Sequence, residues 1–150
     1  MNKAFVREPE SLVDICPRCG SQGQPVGAAT LNAQIVSNQR ASLSDSAAFC
    51  PLAQCEVAYF DNLERIVWTA NLKQPVYPKD VAAPICPCFG MRCDDIDQDV
   101  REGSVSRVKA LLEKAKSPQT RCVELAGNGR SCIPYVQSYY MRRQGTNTNP

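Results

Sequence analysis

The stretches ICPRCG at residues 15–20 and FCPLAQCEVAYF at residues 49–60 decide the organisation of the N-terminal half. The first contains a C-x2-C pair and the second a C-x4-C pair, both within the spacing of structural zinc sites. Tetrahedral zinc needs four soft donors, and it is preferred over a single iron because it is redox-inert. The predicted zinc ligands are Cys16, Cys19, Cys50 and Cys55.

Composition excludes several classes of function. The chain has 150 residues, nine cysteines and no histidine. Without an imidazole it cannot form a Ser-His or Cys-His nucleophile pair or a histidine proton shuttle, so we expect no catalysis on an organic substrate. Seventeen basic and fifteen acidic side chains leave a net charge of +2, which does not favour nucleic acid as a partner.

The cysteines also bear on the compartment. Nine thiols in so short a chain indicate either disulfides in a secreted protein or thiolate ligands in a reducing compartment. The first residues, MNKAFVREPESLVD, lack the apolar stretch of about 7 to 15 residues that a secretory signal requires. No segment approaches the roughly 18 apolar residues of a membrane span. The sequence predicts a cytoplasmic, reduced protein without membrane insertion.

A proline-rich segment divides the chain. The sequence KQPVYPKDVAAP at residues 73–84 contains three prolines, which remove backbone donors and favour extended conformations, so we expect a linker there. The predicted fold class is α+β, with a small zinc-ribbon-like β module followed by a helical metal-binding module. The modules are expected at residues 1–74 and 75–150, and the tail from about residue 144 to residue 150 is expected to be disordered.

Residue patterns predict the elements of the N-terminal module. Residues 26–36 mix β-branched and small residues, which favours one or two strands. The strand-like ends of FCPLAQCEVAYF and RIVW, separated by a polar turn, predict a hairpin.

The C-terminal module is predicted to contain two helices. The first begins near Asp94 and ends at Gly103, and the second is capped by Ser104. The core stripe of the second helix is Val105, Val108, Leu111, Leu112 and Ala115. The carboxylates Asp94, Asp95, Asp97 and Asp99 fit a solvated helix start.

A second quartet of cysteines suggests a second metal centre. Cys86 and Cys88 form a C-x-C pair that can chelate one iron, and Cys122 and Cys132 enclose the loop VELAGNGRS. The two glycines of that loop, at positions 127 and 129, let the backbone approach a buried cofactor closely. Two thiols for each iron would complete a 2Fe-2S centre. A second zinc, or a disulfide between Cys122 and Cys132, would use the same residues.

These motifs carry a family resemblance. The run APICPCFGMRCDDI at residues 83–96, the helix pair and the C-x9-C loop resemble the 2Fe-2S fold of bacterioferritin-associated ferredoxins. Together with the N-terminal cysteine motifs, they are similar to the zinc and 2Fe-2S N-terminal domain of microbial copper chaperones, over residues from about 14 to about 140. The resemblance implies zinc at the first quartet and a cluster at Cys86, Cys88, Cys122 and Cys132.

The resemblance also implies a function. It indicates an electron-transfer protein in copper or other heavy-metal homeostasis, which reduces Cu(II) to Cu(I) and is itself reduced by a redox partner protein. Expected copper partners are a copper-transporting ATPase or a separate copper chaperone domain. The alternatives are a structural or regulatory zinc-binding adaptor without redox activity, and a ferredoxin that serves iron storage.

The ninth cysteine, Cys93, lies at the start of the first C-terminal helix. It can be a small apolar filler, or a thiol whose pKa is lowered at the helix N-terminus. In the second case Cys93 and Met91 would bind a soft metal such as Cu(I) or Hg(II). The chaperones of this family carry a further domain with an M-x-C-x-x-C motif, of which Met91-Arg92-Cys93 supplies half, so copper delivery by two-thiolate exchange is not expected.

Overall fold

A four-stranded antiparallel sheet organises the N-terminal half of the computed structural model, which describes residues 15–148. Its strands pair in sequence order and are β1 Gln24–Val26, β2 Ala47–Phe49, β3 Val57–Asp61 and β4 Ile66–Trp68. The last two strands form the predicted hairpin, with Val57 opposite Trp68. Together with the helices described below, this sheet gives the α+β fold that the sequence predicts.

The two central strands are buried on both faces. Phe49 of β2 pairs with Tyr59 of β3, and both belong to one apolar cluster. Ala48 and Phe60 pair with each other and belong to a second apolar cluster, which also contains cysteines of the first quartet. Because side chains alternate between the faces of a strand, the same strands separate the cysteines from a conventional hydrophobic core.

The prediction of strands over residues 26–36 was wrong. β1 ends at Val26, and the chain continues as helix α1 Ala28–Gln34 and the short helix α2 Ser37–Arg40. The buried side chains of α1 are Thr30, Leu31 and Gln34, which recur at helical spacing. The β-branched residues suggested strands, but the alanines between them are the best helix formers, and packing of one helical face settled the conformation.

The middle of the proline-rich segment packs against both halves of the protein, although both of its flanks are exposed. Val76 lies in the apolar cluster of the sheet, whereas Tyr77 packs against the cluster formed by the C-terminal helices. The two halves are therefore in contact through neighbouring residues of the segment between them. The division at residues 74 and 75 remains a prediction.

The C-terminal half contains α3 Cys93–Glu102, α4 Ser106–Lys114, α5 Cys122–Leu125 and α6 Ile133–Thr148. Helix α3 begins one residue before Asp94 and ends at Gly103, whose φ of 66° is the left-handed conformation that glycine favours. Both features agree with the sequence prediction.

Two details of the C-terminal half differ from expectation. Val105 lies before α4 and is 47% exposed, although Val108 and Leu111 of the predicted stripe are buried. Helix α6 continues to Thr148, where the sequence predicted disorder from about residue 144; the last two residues lie outside the described range. Extending an existing helix fixes one residue for each bond gained, so weak helix formers can continue it.

Asp99 corrects the expectation of a solvated acidic helix start. Its side chain is fully buried, and it accepts hydrogen bonds from the Val108 amide and from Arg107 Nη1, both at 2.9 Å. This carboxylate fastens α3 to α4. Asp94 is exposed as expected.

Candidate metal centres

The structure brings the first quartet together. The Sγ atoms of four cysteines all lie within 4.8 Å of one another, and they are those of Cys16, Cys19, Cys50 and Cys55. Cys19 Sγ lies 3.5 Å from Cys50 Sγ, and Cys16 Sγ lies 4.0 Å from Cys55 Sγ. Zinc bonds of about 2.3 Å in a tetrahedron place sulfurs about 3.8 Å apart, so the donor set fits one zinc ion.

Local structure positions each pair. The Cys16 amide donates to the Ser21 carbonyl at 2.9 Å, and Gly20 closes the turn with a φ of 78° and a bond from its amide to the Cys16 carbonyl. Cys50 directly follows β2, and its amide donates to the Ala58 carbonyl at 3.0 Å. The sheet therefore holds one ligand, and a glycine-closed turn presents two more.

The surroundings of the first quartet favour the thiolate at Cys19 and oppose it at Cys50. Burial alone would raise the pKa of Cys19, but hydrogen bonding with Ser21 outweighs it and lowers the pKa to about 6. Burial raises the pKa of Cys50 to about 12. Lys79 Nζ donates to the carbonyl of Cys55 at 2.9 Å, which places a positive charge beside the quartet. A bound cation would stabilise all four thiolates and release their protons.

The second quartet is less compact than the first, and its members lie at two depths. Cys88 Sγ lies 3.6 Å from Cys122 Sγ, and both residues are half-buried. Cys86 and Cys132 are buried, and a hydrogen bond between their side chains lowers the pKa of Cys86 to about 6 against the effect of burial. The same hydrogen bond, together with burial, raises the pKa of Cys132.

The sequence interpretation assigned Cys86 and Cys88 to one iron, and this assignment stays a prediction. The turn that carries both cysteines is closed by hydrogen bonds between the amides and carbonyls of Cys86 and Met91, both at 3.1 Å. Over residues 15–148, groups of three or more ligands within 4.8 Å include the first quartet but not the second. The second quartet therefore lacks the mutual distances of a single tetrahedral ion.

All nine cysteines are free thiols, including Cys122 and Cys132, so the disulfide considered for this pair is not present. In the stretch from residue 15 to residue 148, no helix has the length and apolar character needed to cross a membrane.

The predicted glycines do permit a close approach, but to a different neighbour. A Cβ at Gly127 would lie 3.1 Å from the Val76 side chain, and one at Gly129 would lie 2.5 Å from Thr30 Oγ1. Both neighbours belong to the N-terminal half or to the segment that follows it. These glycines are thus required by contacts within the protein, and the expectation of close approach to a cofactor stays a prediction.

The lowered pKa considered for Cys93 is contradicted by its surroundings. The residue is 8% exposed, and burial together with the negative charge of Asp97 raises the pKa of its thiol. Met91 is also buried in the same apolar cluster. These contacts agree with an apolar filler, and soft-metal binding at Cys93 and Met91 remains a prediction.

Residues that the sequence did not single out also shape the site. Tyr59 donates from its phenol to the Gly127 carbonyl, and Lys79 donates to carbonyls around the first quartet. A tyrosine within a buried strand was a usable signal, because a buried phenol generally needs a hydrogen-bond partner. The acceptor is distant in sequence, so it could not be predicted.

Comparison with known proteins agrees with the zinc assignment. Residues 13–73 match the zf_CopZ family model, which is described as a zinc binding domain. This range contains the whole first quartet, so the match supports zinc as the ion that these four cysteines hold.

A curated relative and a solved structure extend the likeness. The chain is 29% identical over 121 residues to the copper chaperone CopZ of Archaeoglobus fulgidus, covering 79% of this chain and 52% of that protein. It therefore spans about half the length of this relative. The X-ray structure of the Archaeoglobus fulgidus CopZ N-terminal domain superposes with a TM-score of 0.70 at 21% identity, covering 83% of this chain and 95% of that one. The fold is that of a CopZ N-terminal domain.

Proposed function

We propose that this chain is a zinc-stabilised 2Fe-2S electron-transfer protein that takes part in copper handling. The first quartet would hold zinc as a structural ion. Its compact donor set, the sheet edge and turn that carry it, and the matching zinc-binding family support this role. Zinc-finger peptides gain about 10 to 16 kcal/mol from such a site, which is large compared with the stability of a small domain.

The observation that carries the redox proposal is that Cys88 and Cys122 from two distant loops meet at 3.6 Å, while the second quartet lacks the mutual distances of one tetrahedral ion. In a 2Fe-2S centre each iron takes two protein ligands, so two pairs fit this group better than they fit one tetrahedral ion. The pairs would be Cys88 with Cys122 and Cys86 with Cys132. When bound, such a cluster supplies a one-electron couple.

The chain's own residues would give the two pairs different surroundings. Cys86 and Cys132 lie in the apolar cluster of the C-terminal helices, which excludes water from that side. Cys88 and Cys122 lie closer to the surface, and the Arg121 amide donates to Cys88 Sγ at 3.2 Å. Hydrogen bonds to ligand sulfur raise a cluster's reduction potential by withdrawing charge from it. Because Cys88 and Cys122 lie closer to the surface than the other two ligands, electrons would enter and leave on their side of the cluster.

Copper handling is proposed because the similar protein of Archaeoglobus fulgidus is a copper chaperone. Reduction of Cu(II) to Cu(I) consumes one electron, which a redox partner protein would supply through this domain. The product would pass to a copper-transporting ATPase or to a separate copper chaperone domain. We expect this exchange to occur in the cytoplasm, where free thiols persist.

Anaerobic purification with metal and sulfide analysis tests the proposal. We expect about one zinc, two irons and two sulfides per chain, and an electron paramagnetic resonance signal after dithionite reduction. Cys88→Ser should lose iron and sulfide but keep zinc. Cys93→Ser is the matched control and should keep all three. A colourless parent protein with two zinc ions would overturn the redox proposal in favour of a structural or regulatory adaptor.

The copper role has its own test. Reduced protein mixed anaerobically with Cu(II) should produce about one Cu(I) per cluster, as measured with a Cu(I)-specific chelator. Oxidised protein should produce none. If dithionite reduces the cluster but the reduced cluster transfers no electron to Cu(II), the copper role is contradicted and the electron-transfer role is not.

A further inference from the structure

The loop at residues 122–132, here called the cluster loop, is held by side chains of the N-terminal half. Thr30 Oγ1 donates to the carbonyl of Val123 at 2.5 Å. Gln34 Nε2 donates to the carbonyl of Glu124 at 2.9 Å. Both donors are buried residues of α1, so the first turn of the loop is bound to a helix of the zinc-binding half.

The middle of the cluster loop is bound to the sheet. The phenol of Tyr59, in strand β3, donates to the carbonyl of Gly127. Burial raises the pKa of Tyr59, so this phenol stays protonated and remains a donor. Asn128 Nδ2 adds a bond to Gln24 Oε1 at 3.1 Å. The loop therefore has polar contacts with three elements of the N-terminal half.

Packing leaves little freedom at the same point. A Cβ on Gly127 would lie 3.1 Å from Val76 and 3.2 Å from Cε1 of Phe49. These distances are tighter than ordinary van der Waals contact, so the glycine lies directly against the N-terminal core. The position of the cluster loop thus depends on where Phe49 and Tyr59 lie.

The first quartet lies on the opposite side of the strands that carry those two aromatic residues. Phe49 and Tyr59 pair across β2 and β3, with ring centroids 5.4 Å apart. Cys50 directly follows Phe49, and it packs with Cys16 and Phe60 in the cluster on the other side of these strands. One face of β2 and β3 therefore lies beside the cysteines of the first quartet, and the other face contacts the cluster loop.

We propose that Tyr59 and Thr30 are positioning residues for the cluster loop, so that zinc binding at the first quartet controls how firmly the second quartet retains its cluster. This inference rests on the proposed 2Fe-2S centre. The two metal sites would then be coupled through β2 and β3. Loss of zinc would loosen Phe49 and Tyr59, release the loop and withdraw Cys122 and Cys132 from their partner thiols.

Hydrogen exchange of zinc-loaded, cluster-free protein tests the contacts without requiring a cluster. Tyr59→Phe removes the donor to the Gly127 carbonyl and leaves that carbonyl buried without a partner. Amides of residues 123–131 should exchange about tenfold faster in this variant. Tyr140→Phe is the matched control, because its phenol contacts the Ser104 carbonyl at 3.4 Å and not the loop. Its loop exchange should equal that of the parent.

Removing zinc from the parent with a chelator should raise exchange in the same peptide. In cluster-loaded protein, Tyr59→Phe should release iron to a chelator about tenfold faster and shift the electron paramagnetic resonance g values, at unchanged zinc content. Loop exchange that is indifferent to zinc, or equal in Tyr59→Phe and the parent, would overturn the inference. If the parent never assembles a cluster, the proposed function fails, while the exchange measurements still decide whether zinc controls the loop.

Discussion

The two cysteine quartets use the same side chain in contrasting geometries. In the first, four sulfurs lie within 4.8 Å of one another. Two of them belong to a glycine-closed turn, and a third directly follows strand β2. In the second, Cys88 Sγ and Cys122 Sγ lie 3.6 Å apart on two loops that are distant in sequence, whereas Cys86 and Cys132 are more deeply buried. Ligand spacing along the chain therefore defines a candidate site, whereas the distances between the sulfurs in the fold limit which metal centre can fit.

The largest predicted effect follows from the removal of one zinc ligand of the first quartet. Cys50→Ser replaces a fully buried thiol, and it should abolish zinc retention together with the cooperative unfolding of the N-terminal half. Zinc content by mass spectrometry and thermal unfolding by circular dichroism provide the measurement. Cys93→Ser makes the same chemical change at a buried cysteine outside both quartets, and it should keep one zinc per chain. Equal zinc content in the two variants would remove the distinction between this quartet and the ninth cysteine.

The second prediction concerns the sheet that supports the first quartet. The buried carboxylate of Asp61 accepts bonds from the amides of Ser44, Leu63 and Arg65, each at 3.0 Å, and from Arg65 Nε at 2.8 Å. Asp61→Ala should lower the free energy of unfolding by about 3 kcal/mol, because several donors lose a charged acceptor. Denaturant titration measures the change. Asp45→Ala, at a side chain 76% exposed, is the control and should cost at most about 1 kcal/mol.

The same carboxylate gives a pH dependence with a defined sign. Burial alone would raise the pKa of Asp61, but hydrogen bonds from Ser44, Arg65 and Leu63 outweigh it and hold the pKa below 3.8. A lowered folded pKa stabilises the fold above the unfolded pKa, and this contribution is lost as pH falls through the folded value. The difference between parent and Asp61→Ala should therefore be constant from pH 7 to about pH 5 and shrink below about pH 4. A difference that grew on acidification would contradict the assignment.

The smallest effect tests the contact between the halves. Gly129 and Gly90 both have left-handed φ values, 68° and 74°, but a Cβ at Gly129 would lie 2.5 Å from Thr30 Oγ1 and one at Gly90 would meet nothing within 4 Å. Alanine at either position should cost about 1 to 2 kcal/mol for the backbone conformation. Gly129→Ala should cost about 1 kcal/mol more because of the clash. Equal unfolding free energies for the two variants would show that α1 and the loop adjust freely.

Local pattern predicted the features that depend on near neighbours in sequence. The β3 and β4 hairpin and the end of α3 at Gly103 follow from alternation, turn residues and glycine chemistry. Residues 26–36 were misassigned because their small and β-branched residues are compatible with both a strand and a helix. Burial of Leu31 on one face of the helix favoured the helical conformation. The buried state of Asp99 was missed because its partners lie on the next helix.

Composition and spacing were enough to identify two sets of four cysteines, to exclude histidine ligands, and to recognise the zinc-site spacing of the first set. Folding was needed to bring Cys88 beside Cys122, to raise the pKa of Cys93, and to place the glycines at positions 127 and 129 against their neighbours. The two groups of features differ in the range of the interactions behind them. Turn and chelate geometry act over a few bonds, whereas burial, charge and packing depend on residues that folding brings together from distant parts of the chain.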